Sequence, residues 1–167
     1  IEAGLRTGDL RRPFPEEANR RLLDAISTLL FPPTERALGN LLAEGIPREK
    51  CTITGNTAID ALLWMASREN PISDKVLESL SSDPSKRMIL VTAHSRESFG
   101  EPFRQFIAAM REIVRRFDDV AIVYPVHLNP NVNDPVRRHL TGVERIYLPE
   151  PLSYPDFVGL MRRAYLI

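Results

Sequence analysis

Residues 87–124 read RMILVTAHSRESFGEPFRQFIAAMREIVRRFDDVAIVY, and this stretch decides the fold class. Met88 to Val91 is an unbroken apolar run, the pattern of a strand covered on both faces. Phe103, Phe106, Ile107, Met110, Ile113, Val114 and Phe117 follow at helical spacing, with Arg104, Arg111, Arg115 and Arg116 between them. Val120 to Tyr124 is a second apolar strand. A strand, an amphipathic helix of this length and another strand form a crossover unit, which pairs its strands in parallel with right-handed connection.

The same alternation continues in both directions along the chain. Downstream, the pattern predicts a helix at 135–140, a strand at 143–148, a helix at 156–164 and the start of a strand at 165–167. Upstream, residues 1–12 read as a loop, and Pro13 and Pro15 lead into a helix from Glu16 to about Ser27. Thr28 to Phe31 reads as a strand, Thr34 caps a helix over Glu35 to Glu44, Cys51 to Thr54 is a weak strand, and a helix follows to about Ser67. Residues 68–85 lose this pattern apart from a modest helix near 74–80 and read as a hinge or linker. The fold class is therefore α/β with Rossmann-like, doubly wound parallel sheets.

Composition narrows the function classes. Lys plus Arg and Asp plus Glu both number 22, so no net field draws the chain to nucleic acid or anionic lipid. The longest apolar runs fall far short of the roughly 20 residues that span a bilayer. Cys51 is the single cysteine, which excludes an intrachain disulfide and a multi-cysteine metal site and fits a reducing compartment such as the cytoplasm. There is no Gly-rich phosphate fingerprint and no serine nucleophile elbow. The stretch shown carries no secretory signal, and both ends read as cut.

In doubly wound sheets, ligands bind beyond the carboxyl ends of the strands. His94, Ser95 and Arg96 follow the first of the two central strands, a combination suited to an anion, and His127 follows the second. Glu2 lies among Gly4, Arg6 and Gly8, and Glu16 and Glu17 open a helix. Such carboxylates can serve as general acid and base, although acids in a first turn commonly just complement the helix dipole. The Phe103 to Phe117 stripe reads as core, Trp64 and Met65 as packing, and His139 as a surface residue.

Six motifs then occur in order: Ile1-Glu-Ala-Gly-Leu-Arg-Thr-Gly8, Phe14-Pro-Glu-Glu-Ala-Asn-Arg20, Pro33-Thr-Glu35 with Asn40-Leu-Leu, Gly55-Asn-Thr-Ala-Ile-Asp-Ala-Leu62, His94-Ser-Arg-Glu-Ser98 and Tyr124-Pro-Val-His-Leu-Asn-Pro130. Together they resemble the non-hydrolysing UDP-N-acetylglucosamine 2-epimerases over essentially the whole chain. The resemblance implies a two-domain architecture of the glycosyltransferase-B type. Residues 1–67 would be the end of the amino-terminal Rossmann-like domain, 68–85 the hinge, and 86–167 the first half of the carboxyl-terminal domain. It also implies a preceding Gly-Thr-Arg-Pro-Glu loop, an upstream catalytic Asp and a following Asp-Ser-Gly-Gly segment that holds UDP.

The implied reaction is reversible conversion of UDP-GlcNAc to UDP-ManNAc by elimination of UDP to 2-acetamidoglucal and re-addition. No metal or organic cofactor is implied, and the complete protein is expected to be a homodimer. By matching positions, Glu2, Glu16 and His94 resemble the catalytic residues, Arg6, Arg96, Leu152 and Phe157 the substrate or UDP contacts, and Glu16 and His127 a regulatory UDP-GlcNAc site. Ser95 departs from the family's His-Arg-Arg-Glu, removing a cation that would serve the regulatory site, and Pro155-Asp156 departs from the usual uracil segment. The alternatives are a hydrolysing epimerase that releases UDP and ManNAc, and a non-catalytic remnant. This chain alone is expected to be inactive.

Overall fold

The computed structural model describes residues 1–93 and 101–167 and divides the chain into two compact units, Ile1–Leu63 and Trp64–Ile167. The second contains a three-stranded parallel sheet of β1 (Arg87–Leu90), β2 (Val120–Val123) and β3 (Ile146–Tyr147), in that order. The carboxyl-terminal residues add to the free side of β1, where Leu166 bridges to Ile89. Winding thus runs from β1 to β3 and then returns across β1, the reversal that defines a doubly wound sheet. The topological switch point falls at β1, whose carboxyl end leads in sequence to residues 94–100, outside the described residues.

Strand alternation assigns the two faces. Ile122 and Tyr124 join Phe103, Ile107, Met110 and Val114 of α5 (Glu101–Arg116) and Val132, Val136 and Leu140 of α6 (Pro130–Leu140) in one core. Met88, Leu90 and Val123 face the other way, onto Leu77 of α4 (Lys75–Ser82) and Leu160 of α7 (Tyr154–Arg163). All four β2 side chains are buried, which is why that strand reads as a continuous apolar run.

Several boundaries differ from the sequence expectation for identifiable reasons. α6 starts five residues before Pro135, because Asn129 caps it by accepting from the Asn131 N–H and Pro130 supplies the first helical position. The strand expected at 143–148 shrinks to Ile146–Tyr147, since Arg145 is held at φ 63°. The Arg145 guanidinium donates to the Val114 and Phe117 carbonyls, placing a cation at the carboxyl end of α5. Phe117, expected in the core stripe, lies beyond the end of α5 and is about half exposed, with the Arg87 guanidinium 5.6 Å from its ring centre.

α7 opens with a reciprocal cap: Ser153 accepts from the Asp156 N–H and its hydroxyl donates back to the Asp156 carboxylate at 2.9 Å. The other Asp156 oxygen accepts from the Ser73 N–H and hydroxyl, 83 residues away in sequence. The Ser73 N–H, outweighing burial, holds the Asp156 carboxyl below its ordinary value of 3.8. Its contribution to stability is therefore complete above that value and is lost as pH falls through the lowered one. Asp156→Ala is expected to cost about 1–3 kcal/mol at neutral pH, with the gap to the native protein shrinking at about pH 3 in urea denaturation. A gap of equal size at both pH values would count against this role.

The first unit repeats the β-α-β-α-β pattern in miniature. Glu2 bridges to Phe31 and Leu30 to Cys51, both in parallel, so the expected strands are reduced to single bridges. α1 (Glu16–Ile26) connects the first pair and α2 (Glu35–Ala43) lies between the second, with Thr34 capping α2 through the Ala37 N–H. Ala3, Leu30, Leu38, Leu41 and Cys51 form the core. α3 (Thr57–Ala66) spans the boundary between the units and carries no buried side chain. Trp64, expected to pack, is exposed, and Arg68 stacks its guanidinium 3.8 Å from the ring centre.

Candidate functional site

The first unit holds Glu2, Arg6 and Glu16, and the loop between Glu2 and α1 shows how they are positioned. Glu2 is exposed at the end of the Phe31 bridge and lines a cavity of about 310 Å³ with Phe31, Thr54, Gly55 and Thr57. The Gly55 turn and the start of α3 were legible as a motif, but their closeness to Glu2 was not. Glu16 is exposed in the first turn of α1, where the unpaired N–H groups favour a negative charge.

Arg6 points inward, with a side chain only 7% exposed. Its Nε and one Nη donate to the two Glu44 oxygens at 2.8 and 2.7 Å, and that same Nη donates to Asp24 at 2.8 Å. Its other Nη donates to the Leu5 carbonyl. The Glu44 hydrogen bonds raise the Arg6 pKa despite burial, and Arg6 lowers that of Glu44. Asp24 also accepts from the Gly4 N–H at 3.1 Å, and the Asn40 amide donates to the Gly4 carbonyl at 2.9 Å.

Glu17, read in sequence as a dipole partner, is fully buried. Its two oxygens accept from the Thr7 and Gly8 N–H groups. Burial pushes its carboxyl upward, but those two N–H groups with Arg6 and Arg21 outweigh it, and the net direction is down. A signal was present. Glu17 and Asp24 are seven residues apart and share one face of α1, opposite Leu22 and Ile26, which are exposed. The buried face of this helix is its acidic one.

The second unit holds the remaining described candidates. His127 is exposed past β2, and its Nδ1 accepts from the Asn129 N–H at 3.0 Å, placing the proton of the neutral ring on Nε2. Leu152 and Phe157 are half-buried against the α4–α7 core. His94 and Arg96 lie outside the described residues. Just before them, the Ala93 carbonyl accepts from the Tyr124 hydroxyl at 2.8 Å, so β2 ties down the chain leaving β1. Burial pushes the Tyr124 hydroxyl up to about 12, keeping it a donor at neutral pH. Among the described residues, no helix is long and apolar enough to cross a membrane.

The doubly wound sheet, with its switch point at β1, defines an α/β protein of the Rossmann-like class. The sequence profile described as UDP-N-acetylglucosamine 2-epimerase matches residues 1–167, and the chain belongs to that family. It is 49% identical to the UDP-N-acetylglucosamine 2-epimerases of Yersinia pestis and Escherichia coli K12, covering 100% of this chain and 46% of each relative. The chain thus spans about half the length of these curated relatives.

Among solved structures, the Neisseria meningitidis UDP-GlcNAc 2-epimerase bound to UDP-GlcNAc is 39% identical, with a TM-score of 0.85 over 98% of this chain and 45% of that one. A co-structure of Staphylococcus aureus MnaA with UDP is 38% identical, with a TM-score of 0.86 over 99% and 44%.

Proposed function

We propose that the protein containing this chain interconverts UDP-GlcNAc and UDP-ManNAc without hydrolysis. The observation that carries this reading is the match of all 167 residues to a family whose named relatives are UDP-GlcNAc 2-epimerases, one of them solved with UDP-GlcNAc bound. The exposed carboxylates of Glu2 and Glu16, joined by one braced loop, suit the chemistry. Inversion at C2 requires a base to remove the proton as the C1–oxygen bond to UDP breaks, leaving 2-acetamidoglucal. An acid must then protonate C2 from the opposite face as UDP adds back.

Glu2 and Glu16 take these proton-transfer roles, and His94 and Arg96 serve the leaving diphosphate. Leu152 and Phe157 contact the uracil. Arg6 acts through the loop it anchors, since its guanidinium is engaged by Glu44, Asp24 and Leu5. UDP-GlcNAc also binds at a regulatory site that includes Glu16 and His127. In this reading residues 1–67 end one Rossmann-like domain, 68–85 form the hinge and 86–167 begin the second, in a cytoplasmic homodimer.

The test is product analysis with the full-length protein and UDP-GlcNAc. UDP-ManNAc in equilibrium with substrate is the expected outcome. Free ManNAc with stoichiometric UDP would identify a hydrolysing enzyme, and binding without turnover would identify a non-catalytic remnant. The 167 residues alone are expected to give no turnover, because the upstream Asp and the UDP-holding segment implied by the resemblance lie outside them.

A further inference from the structure

A buried carboxylate is costly unless its acceptors are filled, and a helix start can satisfy its dipole with an exposed acid, as Glu16 does. The complete burial of the next residue, Glu17, therefore calls for a purpose of its own. Its oxygens lie 3.2 Å from the Thr7 nitrogen and 3.3 Å from the Gly8 nitrogen. Two turns further along α1, Asp24 takes the Gly4 N–H, while Asn40 of α2 donates to the Gly4 carbonyl. The segment 4–8 is thus clamped at three amides and one carbonyl, and it is the direct link between Glu2 and the helix that begins with Glu16.

We propose that Glu17 is a positioning residue, its buried carboxylate clamping the Thr7 and Gly8 amides so that Glu2 and Glu16 keep a fixed spacing. The inference rests on the reading of those two residues as the reacting carboxylates. The carboxylate suits the task because only an acceptor at both oxygens can hold two successive N–H groups, whereas an amide presents a donor to one of them. The two N–H groups it holds, with Arg6 and Arg21, keep it ionised, and the Arg20 and Arg21 nitrogens lie 3.6 and 3.7 Å from its oxygens. A displacement of about 1 Å in a reacting group is sufficient to cost about 100-fold in rate.

The experiment uses the full-length enzyme with Glu17→Gln and, as a second variant that keeps the charge, Glu17→Asp. In Glu17→Gln, kcat for UDP-GlcNAc is expected to fall about 10- to 100-fold while KM stays within about threefold. Amide hydrogen exchange at Thr7 and Gly8 should accelerate at least about tenfold, with α5 unchanged. Should Glu17→Gln fail to fold, Glu17→Asp decides by the same readouts. A kcat within about twofold of wild type in the folded variant, or unchanged exchange at both amides, overturns the proposal. A wild-type enzyme lacking epimerase turnover defeats the reading of Glu2 and Glu16, and with it the catalytic half of the inference. The exchange comparison then decides the clamp independently.

Discussion

Arg6→Ala is expected to lower the stability of the Ile1–Leu63 unit by about 3–5 kcal/mol, the cost of removing one partner from a buried ion pair. Arg6 is the only group bridging Asp24 of α1 and Glu44 just past α2 among the described ion pairs. Its loss leaves Asp24, with a side chain 3% exposed, as a charge holding only the Gly4 N–H. The comparison is Arg104→Ala, whose pair with Glu101 is solvent-exposed and whose loss should cost under about 1 kcal/mol. Cys51 is buried in the same core, so its reactivity toward a thiol reagent reports opening of this unit. A loss of 3–5 kcal/mol corresponds to labelling faster by about two to three and a half orders of magnitude, each tenfold being about 1.4 kcal/mol. Labelling within about threefold of wild type would show that Arg6 is not the keystone of the loop.

Gly4→Ala should be comparably severe, through backbone geometry instead of charge. At φ +82° an added Cβ would stand 2.2 Å from the Ala37 carbonyl oxygen and 2.8 Å from its carbon, both backbone atoms of α2. The left-handed conformation costs a non-glycine residue about 1–2 kcal/mol, and relieving the overlap requires the loop to lift away from α2. The expected total is about 3 kcal/mol or more, with loss of turnover because Glu2 is two residues away. Gly8→Ala separates the two causes: its φ of +84° carries the same conformational cost, but nothing lies within 4 Å of the added carbon. Urea denaturation should therefore find Gly8→Ala destabilised by only about 1–2 kcal/mol. Equal losses in the two variants would mean that contact with α2 does not fix the loop.

The Arg6 and Gly4 contacts join residues far apart in the chain, which local pattern does not encode. The seven helices expected from periodicity and capping all form, because the apolar spacing of α5 and the cap at Thr34 are local properties. The pattern places α6 at Pro135, five residues late, because the cap lies at Asn129-Pro130. The β3 segment was overextended because the contacts of Arg145 with α5 cannot be read from its neighbours. Glu2, Glu16 and His94 were singled out by their motifs. Glu17, Asn40 and Tyr124 belong to the same motifs, but the loop-holding contacts they make, and those of Asp24 and Glu44, have no local signature.

The α/β class, the parallel pairing of the strands and the family are legible along the chain, because alternating apolar periods and ordered motifs are local properties. That the acidic face of α1 turns inward and that Arg6 joins two helices follow from long-range packing alone. The same holds for Gly4, pressed against a backbone carbonyl of α2. A charged residue is stable inside only when specific partners meet it. Gly4 and Asp24 are 20 residues apart, and Arg6 and Glu44 are 38 apart, so those meetings are fixed by packing and not by local pattern.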